Sequence, residues 1–179
     1  TGRDASEAGK TMEQLDIAVQ KGILTGQSIA NYAGQYLSVL KSAGIDAEES
    51  IRDVALASQT LGDDGFLALQ RLSESLTSMT PQAKKAAQEI GVNVKKTMVE
   101  GFDDGTGAVK GLLGVVKELQ SKLQGNTEAL REIVPESIAF RGAIALMNSD
   151  LKEANGIMGD LEKSTGEGVK KMFDESQQT

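Results

Sequence analysis

The chain has 179 residues, of which 39% are hydrophobic, so it can form one compact domain with a core of its own. Its formal net charge of −7 opposes binding to phosphate backbones and anionic membranes, which disfavours nucleic acid and lipid as primary partners. It contains no Cys and no His, which excludes disulfides, thiolate and imidazole metal ligands, cysteine nucleophiles and histidine acid–base catalysis.

Four amphipathic helices are predicted between residues 11 and 79, because apolar residues recur there at helical spacing between glycine breaks. Their predicted limits are Thr11 to about Gln20, about Gln27 to Ser42, Asp46 to a stop at Gly62, and a cap at Asp63 or Asp64 followed by Phe66 to Met79. In the fourth helix, Leu69, Leu72 and Leu76 lie close to heptad spacing. Such a seam suits an intramolecular core or a trimer equally well.

The second half of the chain begins with Thr80-Pro81, which predicts a helix cap followed by proline at the one helical position where its missing N–H costs nothing. This fifth helix is predicted to end at Ile90. Residues 92–104 break the helical periodicity and predict a loop with a short extended piece from Val92 to Val94. Three further helices are predicted from Val109 to Leu123, from a Thr127 cap to Val134, and from Ser137 to Asn148.

These elements predict an all-α fold, a compact multi-helix bundle of about eight short to medium helices with a glycine-containing C-terminal helix. Along the chain we predict a disordered or linker segment at residues 1–10, an N-terminal helical half at 11–79, a C-terminal helical half at 80–150 and a trailing helix at 151–179. No apolar run approaches the roughly 18 residues of a membrane span. Because the sequence starts at Thr1 without Met, we expect a segment of a longer protein.

Two glycine motifs faintly suggest nucleotide binding. Gly9-Lys10-Thr11 matches the end of a phosphate-binding loop, but Asp4 stands where that motif needs a glycine. Gly105-Thr106-Gly107, followed by Gly111, has its third glycine one residue too late for a dinucleotide loop and lacks a flanking βαβ unit. Both motifs are therefore interpreted as ordinary turns and helix starts.

Acidic residues give no clear metal or catalytic site. Asp63-Asp64-Gly65 and Asp103-Asp104-Gly105 lack the ligand register of a calcium loop and are interpreted as turns. The pairs Glu48-Glu49 and Glu100 with Asp103 and Asp104 show no sign of the fixed, partly buried geometry that glycoside hydrolysis needs. We therefore predict no catalytic residue, no cofactor-binding residue, no metal site and no enzyme activity.

One basic residue interrupts an apolar helix. Arg141, next to Gly142, must extend its guanidinium to solvent or find a carboxylate such as Glu136 or Asp150. A structural ion pair with one of these two acids is the predicted arrangement.

Several short motifs follow one another in an order that resembles a known family. They are Leu72 with Leu76, Thr80-Pro81-Gln82-Ala83-Lys84-Lys85-Ala86-Ala87, Glu89-Ile90-Gly91-Val92, Phe102-Asp103-Asp104-Gly105, the helix from Leu112-Leu113 to Leu123, and Arg141-Gly142-Ala143-Ile144-Ala145-Leu146-Met147-Asn148. In this order they resemble the core region of phage tail tape measure proteins, and the similarity covers roughly residues 10 to 165. The stretch from Val94 to Gly101 is longer than the turn that the family pattern leads one to expect.

The resemblance implies a structural component of a phage or prophage tail that helps to determine tail length and assembly and is released during genome ejection. The implied partners are tail tube proteins, tail tip or baseplate proteins and tail assembly chaperones, with trimeric self-association left open. The implied location is the virion tail, and the host cytoplasm during assembly. Exposed faces at Phe66 to Met79 or Leu112 to Leu123 would make the contacts.

Two alternatives remain at this level. One is a generic helical protein-protein interaction module of a bacterial secreted or injection-system protein, which would share the fold without a tail. The other is a fragment of a peptidoglycan-cutting enzyme, which the absence of Cys, His and a paired-acid cleft disfavours.

Overall fold

The computed structural model describes residue 44, residues 47–157 and residue 159. Within these ranges the α-helices are α1 (Ala47–Leu61), α2 (Gly65–Thr77), α3 (Pro81–Glu89), α4 (Val94–Glu100), α5 (Gly111–Leu123), α6 (Thr127–Ile133) and α7 (Ser137–Met147). A 3-10 turn at Gly62–Asp64 joins α1 to α2, and residues 151–157 are again helical. The predicted all-α fold is confirmed.

Some predictions fall outside the described residues. These are the linker at 1–10, the helices from Thr11 to about Gln20 and from about Gln27 to Ser42, and the chain beyond residue 159. The division into halves at residues 79 and 80 stays a prediction.

Helix α2 forms the centre of one layer because it packs against both α1 and α7. Its apolar side chains Phe66, Leu69, Leu72 and Leu76 are all buried, as the near-heptad spacing requires of one helix face. The crossing with α7 is close: a Cβ built on Gly142 would lie 2.9 Å from the Ala68 carbonyl oxygen. The glycine is therefore needed for the two backbones to approach.

Helix α5 lies at the middle of the fold, in contact with α1, α4, α6 and α7. Its first two turns are buried on every side, from Gly111 through Val116. A helix that is apolar all round must be enclosed by its neighbours. The outer layer includes α3, which packs on α6 and begins with Thr80 accepting a hydrogen bond from the Ala83 amide at 3.1 Å. This is the cap that Thr80-Pro81 predicted.

The predicted loop at residues 92–104 is wrong for most of its length, because α4 occupies Val94–Glu100. Asn93 caps this helix by accepting from the Lys96 amide at 3.1 Å, and Val94, Thr97 and Met98 are buried on one face. Their i, i+3, i+4 spacing is helical, but only two turns long. The glycines on either side therefore bracket a short helix rather than a loop, and the extra length of this stretch is helical.

A small hairpin follows and corrects one further prediction. Strand β1 (Phe102–Asp103) pairs antiparallel with β2 (Ala108–Val109), with Phe102 opposite Val109. Val109 is therefore a strand residue, and α5 begins at Gly111 instead. The turn between the strands contains Gly105 and Gly107 at φ of 106° and 125°, conformations that favour glycine.

Two predicted caps differ from the structure. Asp64 stands at the N-cap of α2 but its side chain makes no capping hydrogen bond, because the 3-10 turn already continues the helical path. Asn126, not Thr127, caps α6 by accepting from the Ala129 amide at 3.1 Å. Helix α7 begins at Ser137 as predicted and is capped by Glu136, which accepts from the Ala139 amide at 2.6 Å.

Candidate functional site

The described part of the chain has two charged residues in its interior, Arg52 and Asp53 of α1. The Arg52 Nε donates to Asp53 Oδ1 at 2.9 Å, and Arg52 Nη2 lies 2.9 Å from the same oxygen. Arg52 Nη2 also donates to the Lys110 carbonyl oxygen at 2.9 Å. The Leu113 amide donates to Asp53 Oδ2 at 3.4 Å. The pair therefore contacts the N-terminal turn of α5 with both signs of charge.

Asp53 provides the cap that α5 lacks locally. Lys110 stands at the N-cap position and makes no side-chain capping bond. The carboxylate arrives instead from α1, and it accepts from the first-turn amides that a helix leaves without partners. Burial raises the pKa of the Asp53 carboxyl, because the loss of solvent outweighs the attraction of Arg52 and these hydrogen bonds.

The structure also shows where Gly105, Gly107 and Gly111, the glycines of the dinucleotide-like motif, lie. The first two glycines lie in the turn of a β-hairpin, and Gly111 opens α5. The N-terminus of α5, where a pyrophosphate would bind, already holds the carboxylate of Asp53. The ordinary interpretation of these glycines as a turn and a helix start therefore agrees with the structure.

The acidic hairpin tip is closed by its own backbone. Asp103 Oδ1 accepts from the Gly105 amide at 2.8 Å and from the Gly107 amide at 3.1 Å. Asp104 Oδ1 accepts from the amide and hydroxyl of Thr106, and these hydrogen bonds lower the pKa of Asp104. The two carboxylates thus shape the turn, as the sequence predicted. Among the described residues, no group of three or more acidic side chains is arranged to hold a metal ion.

Two basic residues of the core region behave differently. Arg141 is exposed, and its predicted partners Glu136 and Asp150 accept instead from the amides of Ala139 and Lys152, so the predicted ion pair is wrong. Lys117 of α5 is half-buried and donates to the carbonyl oxygens of Met147 at 2.9 Å and Ser149 at 2.7 Å.

Lys117 thereby provides a cation at the C-terminal end of α7, where the helix dipole favours positive charge. Burial lowers the pKa of the Lys117 ammonium, against the attraction of Asp150 and Asp104.

The faces that the sequence offered for protein contact lie inside the fold. Leu69, Leu72 and Leu76 are buried, and so are Leu112, Leu113 and Leu119. The seam of α2 is therefore an intramolecular core, which removes it as a trimer interface in this fold. Among the described residues, Val99 of α4 is the one large hydrophobic residue that is exposed, at 52%.

Nothing in the described ranges forms a helix of the length and apolar character that a bilayer crossing requires.

Comparison with known proteins matched a protein-family model. A family model described as "Phage-related minor tail protein" matches residues 1–139, which include α1 to α6, the hairpin and the first residues of α7. Neither the curated proteins nor the solved structures yielded a significant match.

Proposed function

This chain belongs to the family of phage-related minor tail proteins, and we propose that it is a folded segment of a tape measure protein that acts in tail assembly. As a structural protein of the phage tail it has its place in the virion. The proposed tape measure role rests on two observations. One is the sequence resemblance to tape measure proteins, and the other is that the described helices bury their apolar side chains against one another.

One observation carries the proposal, namely that the apolar seams of the described helices are covered from within. Leu72 of α2 and Leu113 of α5 have no exposed surface. A segment that served as an extended ruler would instead present such seams to other copies of itself along a continuous coiled coil. The longest described helix, α1, has 15 residues, and every described α-helix packs against at least one other.

The length of the segment supports the same role. Residues 47–157 as one uninterrupted helix would span about 170 Å at 1.5 Å per residue. A compact domain of this size has a radius of gyration of roughly 13 Å. A folded module therefore contributes little to tail length, and its role is better placed in assembly or in docking at one end of the tail.

The partners of this module are proposed to be tube, tip or baseplate proteins of the tail and the chaperones that hold the chain before assembly. We propose no catalytic activity for it, since the carboxylates of Asp53, Asp103 and Glu136 serve an ion pair, a turn and helix caps. Release during genome ejection and assembly in the host cytoplasm belong to the same proposal and rest on the resemblance alone.

The test is an in-frame deletion of residues 47–157 in a phage that encodes this chain, with tail length measured by electron microscopy. A folded assembly module predicts either no tails or tails of normal length that fail to infect. Tails shortened by about 170 Å would contradict the proposal, because that is the length of the segment as a continuous helix.

A matched pair of point variants separates the fold from the chain length. Leu72→Ser opens the buried face of α2, whereas Arg71→Ser changes an exposed neighbour whose side chain is 49% accessible. We expect assembly or infectivity to fail with Leu72→Ser and to persist with Arg71→Ser.

Normal infectious virions from the deletion variant would refute a role for this module in the tail.

A further inference from the structure

The side chains of Arg52 and Asp53 form hydrogen bonds with two backbone groups at the start of α5. Arg52 holds the Lys110 carbonyl oxygen, and Asp53 holds the Leu113 amide nitrogen, 60 residues away in sequence. These groups lie at either side of the first turn of α5. The pair therefore defines both where α5 starts and how it is rotated about its axis.

Stability alone is a poor explanation for this pair. Removing two charges from water costs more than most pairs regain, and apolar residues of similar volume are often as stable or more so. The raised pKa of the Asp53 carboxyl agrees with this, because burial outweighs the favourable contacts. We therefore ask which role of the pair apolar residues could not fill.

Hydrophobicity alone gives the first two turns of α5 little orientation. Leu112, Leu113, Val115 and Val116 are all fully buried, so these turns have no polar face. A rotation by one residue, about 100°, would keep apolar residues on every side there, and it would be opposed sterically where Gly111 and Gly114 exchange places with leucine or valine. Hydrogen bonds are directional, and only one rotation brings the Lys110 carbonyl and the Leu113 amide to the pair.

The orientation of α5 also decides the position of the hairpin. A Cβ built on Gly114 would overlap the Val109 carbonyl oxygen, so the hairpin strand rests directly on Gly114 of α5. A rotated helix would present a branched side chain to Val109 in place of Gly114. The hairpin could then no longer pack as observed.

We propose that the Arg52–Asp53 pair is an orientation lock, which selects one rotation and one axial position of α5 and thereby places the hairpin, rather than adding to the free energy of folding.

The experiment uses the full 179-residue chain and two double variants. Arg52→Met with Asp53→Leu replaces both side chains by apolar ones and removes all polar contacts. Arg52→Gln with Asp53→Asn removes the charges but keeps a donor for the Lys110 carbonyl and an acceptor for the Leu113 amide. Both are compared with the unaltered chain by denaturant unfolding, by amide NMR spectra and by hydrogen exchange.

The apolar variant is expected to unfold at a similar or higher denaturant concentration. Its amide peaks for Leu112 to Gly114 and for the hairpin should nevertheless split or broaden, and exchange at Leu113 should accelerate by at least about tenfold. The polar uncharged variant should restore single sharp peaks. Single sharp peaks from the apolar variant would overturn the proposal. If the apolar variant did not fold while the polar uncharged variant did, the proposal would also be overturned, because the pair would then be needed for stability.

Discussion

Two helix pairs of this fold are fixed by opposite means. Helices α2 and α7 meet through small residues, with Gly142 lying against the backbone of Ala68. Helices α1 and α5 meet through a buried ion pair and two hydrogen bonds to backbone. The α2–α7 contact requires a residue without a side chain, whereas the α1–α5 contact requires two side chains of opposite charge. The two should therefore fail under different perturbations.

The comparison shows why substitution by size and substitution by charge probe different parts of one core. Adding a methyl group at the α2–α7 crossing forces the backbones apart, whereas the α1–α5 junction has room for side chains but none for an unmatched charge. The sharpest tests alter one junction and leave the other intact.

The largest effect is expected at the charged junction when one partner is removed. Asp53→Leu leaves the Arg52 guanidinium buried without its carboxylate, which should lower the free energy of unfolding by about 3 to 5 kcal/mol. Glu74→Leu is the matched control, because it removes the carboxylate of an exposed pair with Arg71 at 3.7 Å and should cost under about 1 kcal/mol. Urea unfolding of both variants measures the difference. Equal losses would show that burial does not distinguish the two pairs.

A smaller effect is expected at the steric junction. Gly142→Ala places a methyl group 2.9 Å from the Ala68 carbonyl oxygen and should cost about 1 to 3 kcal/mol through displacement of α7. Gly156→Ala is the control, since that helical glycine is exposed and has nothing within 4 Å of a built Cβ. It should stabilise the chain by roughly 0.5 to 1 kcal/mol. The same thermal and urea measurements apply, and a stabilising Gly142→Ala would mean that the crossing is looser than described.

The smallest effect is a pH dependence that belongs to the charged junction alone. The folded pKa of Asp53 is raised above its unfolded value near 3.8, so the folded state takes up this proton at higher pH than the unfolded state. The contribution of Asp53 to stability is therefore absent above the folded pKa, grows as pH falls through it, and is complete below 3.8.

The slope of this contribution is at most about 1.4 kcal/mol per pH unit. It is measured as the free energy of unfolding of the unaltered chain minus that of Asp53→Asn, from pH 8 down to pH 4 at constant ionic strength. The difference should rise as pH falls. A difference that decreases as pH falls would mean that pairing with Arg52 dominates and that the pKa of Asp53 is lowered.

The helices with long apolar stripes could be predicted from the sequence because their own residues carry the signal. The stripe of Leu69, Leu72 and Leu76 placed α2, and Thr80-Pro81 placed the start of α3. Helix α4 was missed because two turns give too few repeats to outweigh the flanking glycines. The hairpin was missed because strands of two residues have no periodicity at all.

The Arg52–Asp53 junction could not be predicted, because adjacent charges on a helix ordinarily mark a solvated face. What buries them is the arrival of α5 from 60 residues further on. One local signal was present: Val54 through Ala57 are four consecutive apolar residues, a run that favours a helix enclosed on every side at that level, and all four are buried. Charges beside such a run require partners, although the run does not tell which helix provides them.

The separation of 60 residues between Asp53 and Leu113 also sets a time. At a synthesis rate of roughly 5 to 20 residues per second, α1 leaves the ribosome about 3 to 12 s before the turn that satisfies its charges. Throughout that interval α5 and α7, which pack against α1 and α2, have not yet left the ribosome. A holding chaperone of the kind proposed above as a partner would meet the nascent chain in this open state, seconds before it closes.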